Sequence, residues 1–537
     1  MSTPSAVAES PASPSLTVGG ILRRVFSFPV ALGSLLTFVA AGLARFGVLD
    51  TDTWWHAKIG EQIARTHRWP TTDIFSFTMT GTPWIAYEWL GEVIIALSAR
   101  LHGLQGEVAL LMCLSASLVL LLYIYASLRS GHSKAAFVAS ALVVVAVAPF
   151  LTLRPQLIGY NFLLLTLICL ELFRQGHRRA LWVLPPLFLV WVNVHGTFVF
   201  GLAIIGLYWL SGLVGFRAGG LAAERWTAQQ GRDLLLTALL CMLVLPLTPY
   251  GTRVAAYPLE LAFRQPANIA NIQEWQPLGF NLTLGRYLLG LLVFYFVGYA
   301  VVRPQHRLEE MVLFLLGFVA ACLHIRFIAF FLLMFTPLLA ALLAQWVPPY
   351  EPQKDRWAIN AALVAGLVFG LVYLFPSART LQDKTAERYP VRALEFLRQH
   401  PVAGPTFNMY GWGGYLIWAT GPAQKVFLDG RADIYEYGGV LSDYIHITLI
   451  ESDALPLLRK YGIQSCLLEQ KAPLTTLLRA LPDWRVVYSD DLSTVLVRVG
   501  DRVPNSAPPG RSSAVPSTTV PSRPAELAVR PGTQAPL

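Results

Sequence analysis

The apolar residues of this chain are bunched into long runs, and that bunching restricts the fold more than any other feature. The runs recur from residue 26 to residue 375 with short polar connections between them. A stretch of about 20 apolar residues in helical form spans the ~30 Å hydrocarbon layer of a bilayer. Composition agrees: 55% of residues are hydrophobic, 14% are charged and mean hydropathy is +0.51, against about 25% charged in ordinary soluble domains. The fold class expected is an α-helical polytopic membrane protein.

Eleven crossings are expected, near 26–48, 108–128, 135–151, 157–173, 181–194, 198–214, 234–247, 287–302, 311–323, 327–346 and 359–375. Loop charge orients them. The basic connections are RSGHSK, RQGHRR, FRAGGLAAERWTAQQGRD, RPQHR and QKDR. Placing these in the cytoplasm puts the N-terminus inside and the region after 375 outside. Residues 85–103 are apolar but carry Glu88, Glu92 and Arg100. Counting them as a span would reverse every later loop, so they read as an amphipathic helix at the outer surface. Two long outer loops follow, 49–106 and 248–286.

The expected domains are a disordered N-terminus (1–24), the membrane body (25–375), an extracytoplasmic α/β domain (376–500) and a disordered tail (501–537). Both ends are rich in Ser, Pro and Ala, a composition that builds no core. The N-terminal stretch reads as a lead-in to an uncleaved first helix. In the α/β domain, the segments containing GWGGYLIW, KVFLDGRADIY, IQSCLLE and WRVVYSDDLSTVLVRV read as strands separated by turns and helices. The net charge of +9 sits mainly in the short connections and forms no basic stripe among aromatics, so nucleic acid is not an expected partner. Cys113, Cys169, Cys241, Cys322 and Cys466 form no CxxC and suggest neither a disulfide framework nor a zinc site.

On this topology the polar residues of the apolar body gather on the outer side. The stretch LDTDTWWHAKIGEQI, directly after the first run, supplies Asp50, Asp52, Trp54, Trp55 and His56. Arg154 and Gln156 stand in LRPQL, Asn193 and His195 in WVNVHGTF, Glu274 and Trp275 in NIQEW, and His324 and Arg326 in LHIRF. Ionisable groups at a membrane edge are costly and are functional by default. Carboxylates suit base chemistry, arginines suit an anionic head group, and histidines suit either. Each also has a plainer reading. The carboxylates could be solvated helix caps, His195 a packed histidine, the arginines snorkelling anchors, and the tryptophans an interfacial belt in place of sugar-stacking faces. In FLDGRAD, Asp429, Arg431 and Asp433 are either an ion-pair network at a glycine turn or part of an acceptor site. GWGGYLIW follows no phosphate-loop pattern.

The motifs DTDTWWHAKIGEQI, PTTDIFSFT, EWL, RPQL, the W-N-HG pattern and GWGGYLIW with KVFLDGRAD resemble a group of bacterial members of the GT-C glycosyltransferase superfamily, over about residues 25–499. A first span, a long acidic outer loop, a many-span body and an outer C-terminal domain also resemble that superfamily's architecture. The resemblance implies an enzyme of the bacterial inner (plasma) membrane. It would take a sugar from a polyprenyl-phosphate donor and pass it to an extracytoplasmic glycan, lipid or protein acceptor by one inverting displacement. It further implies a base in the first acidic loop, Asp52 or Asp50, with Asp52 preferred for its closeness to the WWH cluster. Arg154 and Arg326 would face the leaving phosphate, and His56, Trp54, Trp55, Gln156, Asn193, His195, Glu274, Trp275 and His324 would line the substrates. No resident cofactor is called for. Metal dependence is left open, with a divalent cation the one candidate. The competing class is a multi-pass transporter or envelope-assembly protein, for which inverted repeats and broken midplane helices are expected; neither stands out.

Overall fold

The computed structural model describes residues 18–263 and 265–499. The expected disordered tail and most of the expected disordered N-terminus lie outside the described residues; from Val18 to Val25 the chain is a short helix. Contacts divide the described chain into two compact units. The first comprises residues 18–72, 83–263 and 274–385, and the second 73–82, 265–273 and 386–499.

Every apolar run read as a span is a helix. Among the described residues six helices are long and apolar enough to cross a bilayer alone: Leu104–Ser130, Ser133–Phe150, Pro155–Arg174, Thr283–Val302, Ile325–Leu343 and Trp357–Leu374. The first expected span holds the helix Phe28–Ala44, which meets the preceding helix Gly19–Val25, outside that span, at a 40° bend. The remaining four are shorter: Leu184–Val194, Phe198–Ser211, Ala228–Val244 and Leu308–Leu323. Ile328–Leu343 is buried along almost its whole length and packs on Leu104–Ser130, Ser133–Val147 and Leu308–Leu323. A helix apolar on every side belongs in such an interior position. Trp357–Leu374 buries only Asn360 and leans on Phe28–Ala44.

The charged side chains of the first unit collect at helix ends. At one end Arg129 pairs with Glu310, Arg174 with Glu309, Arg178 with Asp233, and Arg307 with Glu171 at 2.5 Å. The four arginines come from the connections read as the basic face. The other end gathers residues 47–56, 152–156, 193–197, 274–276 and 324–327. Leu153 N–H donates to Gly47 O, Thr53 Oγ1 to Leu153 O, and Ile325 N–H to Gln276 O. These are loops that the charge rule places on one side.

The second unit holds a four-stranded sheet. Its order is Thr406–Asn408, Ser465–Glu469, Ser493–Arg498, Trp484–Ser489, with the first pair parallel and the others antiparallel. The first expected strand segment does supply Thr406–Asn408, but two stretches expected as strand are not. GWGGYLIW lies in the helix Tyr410–Thr420, where Trp412 to Ile417 are buried without a break. A continuous apolar run carries no period that separates helix from buried strand. KVFLDGRADIY contributes a single bridge, Val426 to Ser76, and then the helix Ala432–Tyr437.

The same region accounts for FLDGRAD and PTTDIFSFT together. Arg431 forks onto Asp429 (Nε–Oδ1 2.8 Å, Nη2–Oδ2 2.7 Å) and reaches Asp73 Oδ1 at 2.7 Å. Asp73 also accepts the backbone N–H groups of Phe75 and Ser76, and Tyr435 donates to Asp429 at 2.5 Å. All three charged residues are buried. This is an ion-pair network that fastens residues 73–82 to the sheet domain.

Candidate active site

The site is built where the chain leaves its first long helix. After the turn Gly47–Leu49, Asp50 is extended and its Oδ1 accepts the N–H of Asp52 at 3.1 Å. This Asp-led turn starts the helix Thr53–Thr66 with Asp52 at the N-cap position. The Asp52 side chain does not cap that helix. Its Oδ1 accepts from Trp55 Nε1 at 3.1 Å and its Oδ2 faces Arg154 Nη1 at 3.0 Å.

Arg154 is extended because Pro155 follows it, and Pro155 opens the next helix. Its guanidinium meets three carboxylates. Nε and Nη2 fork onto Asp50 at 2.6 and 3.0 Å, and Nη1 bridges Asp52 to Glu274 Oε1 at 2.7 Å. The fork belongs to Asp50, and such bidentate pairs are the strong ones. Asp52 holds Arg154 by one contact only. Its side chain is 17% exposed, and burial pushes its carboxyl up to about 7, opposed by Arg154 and reinforced by Asp50 and Glu274. The Arg154 guanidinium holds Glu274 below the ordinary carboxylate range, against the effect of burial.

Arg326 is placed differently. Its guanidinium lies 4.1 Å above the Trp275 ring, and among the described residues no carboxylate is within ion-pair reach of it. His324 Nδ1 donates to the Trp275 carbonyl at 2.6 Å, so residues 275, 324 and 326 form one piece. Arg154 is therefore committed to carboxylates, and Arg326 is a cation still free to meet an anion.

Other sequence candidates are brought close but are occupied. Asn193 accepts from Trp89 Nε1 at 2.7 Å and donates to the carbonyls of Leu189 and Leu247. Gln156 donates to Tyr160 at 2.6 Å. Trp54 and Trp55 are buried, so neither offers an open ring face. Trp55 lies instead against the His56 ring, with centroids 3.6 Å apart.

Two acids outside the expected set complete the region. The helix Trp89–His102 crosses Thr53–Thr66 at backbone contact: a Cβ on Gly60 would lie 2.0 Å from the Glu92 carbonyl oxygen. That crossing sets His56, one turn before Gly60, against Glu92 (Nδ1–Oε1 3.2 Å) and Glu88 (Nε2–Oε2 3.7 Å). A Cβ on Gly91 would meet Pro155 at 2.7 Å and the Val194 carbonyl at 3.2 Å. The start of this helix is thus wedged between the neighbours of Arg154 and of His195. His195 Nε2 lies 3.2 Å from Glu88 Oε1. The sequence carried a signal for these acids, since two carboxylates four residues apart share a helix face and stand in a segment otherwise apolar enough to cross a membrane. Both are buried, whereas Arg100 is exposed.

Among the described residues, the one set of His, Cys or carboxylate groups with ligand atoms mutually within 4.8 Å is His446, Glu451 and Asp453, in the second unit. Between Asp50, Asp52 and Glu274 the central position is taken by the Arg154 guanidinium.

No protein-family model and no curated protein matches the chain. Among solved structures, it is similar to the archaeal oligosaccharyltransferase AglB of Archaeoglobus fulgidus, in complex with an inhibitory peptide and a dolichol-phosphate. Identity is 12%, 81% of this chain and 69% of that chain are covered, and the TM-score is 0.49. It is also similar to ArnT of Cupriavidus metallidurans bound to undecaprenyl phosphate, with 14% identity, 87% and 98% coverage, and a TM-score of 0.46.

Proposed function

We propose that this chain is a multi-pass membrane glycosyltransferase that moves a sugar from a polyprenyl-phosphate donor to an acceptor on the outer face of a bacterial plasma membrane. The observation that carries the reading is the pairing of Asp52, held weakly and poised near neutrality, with Arg326, a cation left uncommitted at the same end of the helices. In the reaction the acceptor hydroxyl attacks the anomeric carbon, the carbon–oxygen bond to the lipid phosphate breaks, and the hydroxyl proton passes to Asp52. A base works best when its pKa lies near the working pH, and about 7 fits that requirement. The departing phosphate gains charge as the bond breaks, and the Arg326 guanidinium is suited to meet it. Asp50 orients Arg154, which in turn fixes the position of Asp52.

The collection of buried charge at helix ends, away from the middle of the bundle, favours chemistry at one membrane face over transport through it. On this reading the eleven helices cross the bilayer and the sheet domain is extracytoplasmic. Incubating the purified protein with a panel of polyprenyl-phosphate sugars tests the proposal. Release of polyprenyl phosphate from at least one donor, dependent on an added acceptor, is expected. No release from any donor under any acceptor condition would remove the reading.

A further inference from the structure

Next to the Asp52–Arg154 cluster, four titratable side chains alternate between acid and imidazole, and the displacement just described uses none of them. Glu92 Oε1 lies 3.2 Å from His56 Nδ1, His56 Nε2 lies 3.7 Å from Glu88 Oε2, and Glu88 Oε1 lies 3.2 Å from His195 Nε2. The far end of this chain fixes its own protonation. His195 Nδ1 accepts the backbone N–H of Thr197 at 3.1 Å. A backbone amide only donates, so the ring proton of a neutral His195 sits on Nε2, the nitrogen 3.2 Å from Glu88 Oε1. At the near end, the closer contact of His56 is Nδ1 to Glu92. A neutral ring that donates there leaves Nε2 bare and turned toward Glu88 Oε2.

We propose that Glu88 is a positioning residue that works as a neutral acid: it keeps its proton on Oε2, facing the bare Nε2 of His56, and in that form holds the helical turn carrying Asp52, Trp55 and His56 in place against Arg154. An ionised Glu88 would set negative charge against an imidazole lone pair. The groups facing Glu88 are Tyr87 from its own segment, which hydrogen-bonds it, Asp52 and His56 from the first loop, His195, Arg154 and Arg326. Burial dominates among these effects and pushes the Glu88 carboxyl up to about 8, with the Tyr87 hydrogen bond and the two arginines opposing and Asp52 adding. Burial also takes His56 well below its ordinary value and His195 down to about 3. Neither ring therefore supplies the positive charge that an ionised Glu88 would need.

The activity arm of the test rests on the glycosyltransferase reading, and a spectroscopic arm does not. Glu88→Gln keeps the shape and the donor of a protonated acid. It is expected to release polyprenyl phosphate at near the wild-type rate at neutral pH, and to lose the alkaline fall that the wild type shows near pH 8. Glu88→Ala removes the contact with both rings and is expected to lower kcat about tenfold or more at every pH. Glu88→Gln as impaired as Glu88→Ala would overturn the proposal. In infrared difference spectra of the full-length protein, wild type minus Glu88→Gln, a protonated-carboxyl band is expected at neutral pH, titrating away near pH 8. Absence of that band would show Glu88 ionised and overturn the proposal whether or not any donor is turned over.

Discussion

Asp50 and Asp52 stand two residues apart and face the same arginine, yet the structure gives them different work. Asp50 takes the Arg154 fork through both oxygens. Asp52 shares one nitrogen of that guanidinium and keeps a carboxyl raised to about 7 by burial. If Asp52 accepts the proton, turnover depends on its ionised form, so activity should fall as pH drops below about 7. With Glu88 required neutral, activity should also fall above about 8, which gives a narrow bell in a pH–rate series. Asp52→Asn should lose the acid limb from whatever activity remains. Arg326→Ala should weaken donor binding by about tenfold or more, from a charge-assisted contact worth roughly 1.5–3 kcal/mol. Unchanged donor affinity in a direct titration would take Arg326 out of the phosphate site. The acidic pair was legible in the sequence because carboxylates beside an apolar run are costly and so conspicuous. Its answer, an arginine 104 residues further along the chain, was legible only as a member of the same face. Which carboxylate takes the fork depends on a turn at Asp50 that no pattern announces.

At the scale of elements, the site depends on two helices meeting at backbone contact. Gly60 allows Thr53–Thr66 and Trp89–His102 to touch, and that contact delivers Glu92 and Glu88 to His56. A methyl group at Gly60 has nowhere to go, because the atom 2.0 Å away is a backbone oxygen. Gly60→Ala should cost about 1–3 kcal/mol in overpacking and lower the melting temperature of the purified protein. Gly206→Ala is the control: no atom lies within 4 Å of a Cβ there, it sits in the helix Phe198–Ser211, and alanine is the better helix former. Equal melting temperatures for the two variants would contradict the crossing described. The sequence announced the helix at 89–102 through its apolar content. It read residues 85–103, with Glu88 and Glu92, as an amphipathic helix at the outer surface and not as part of the site, because their partner His56 lies on a different element. GWGGYLIW misled in the other direction, since a run buried on every side shows no period.

At the scale of the whole chain, the charge rule for loops and the structure agree on which connections belong together. Residues from 50, 154, 274 and 326 meet at one end of the helices, and the basic connections pair with Glu171, Asp233, Glu309 and Glu310 at the other. Single cysteines at Ser130 and Ser377 in a cysteine-free background should react from the cytoplasm and from outside, respectively. Reaction of both from the same side would overturn the eleven-span topology. Helix lengths were less legible than helix positions, because several helices end early in turns that carry polar site residues, such as His195 after Leu184–Val194 and His324 after Leu308–Leu323. The proposed reaction requires a carboxylate that accepts a proton during sugar transfer. The direct measurement is polyprenyl-phosphate release by purified wild-type protein and by Asp52→Asn at neutral pH, with donor binding measured on both. The expected result is equal donor binding with turnover reduced on the order of a hundredfold or more. Near-normal turnover by Asp52→Asn would contradict it.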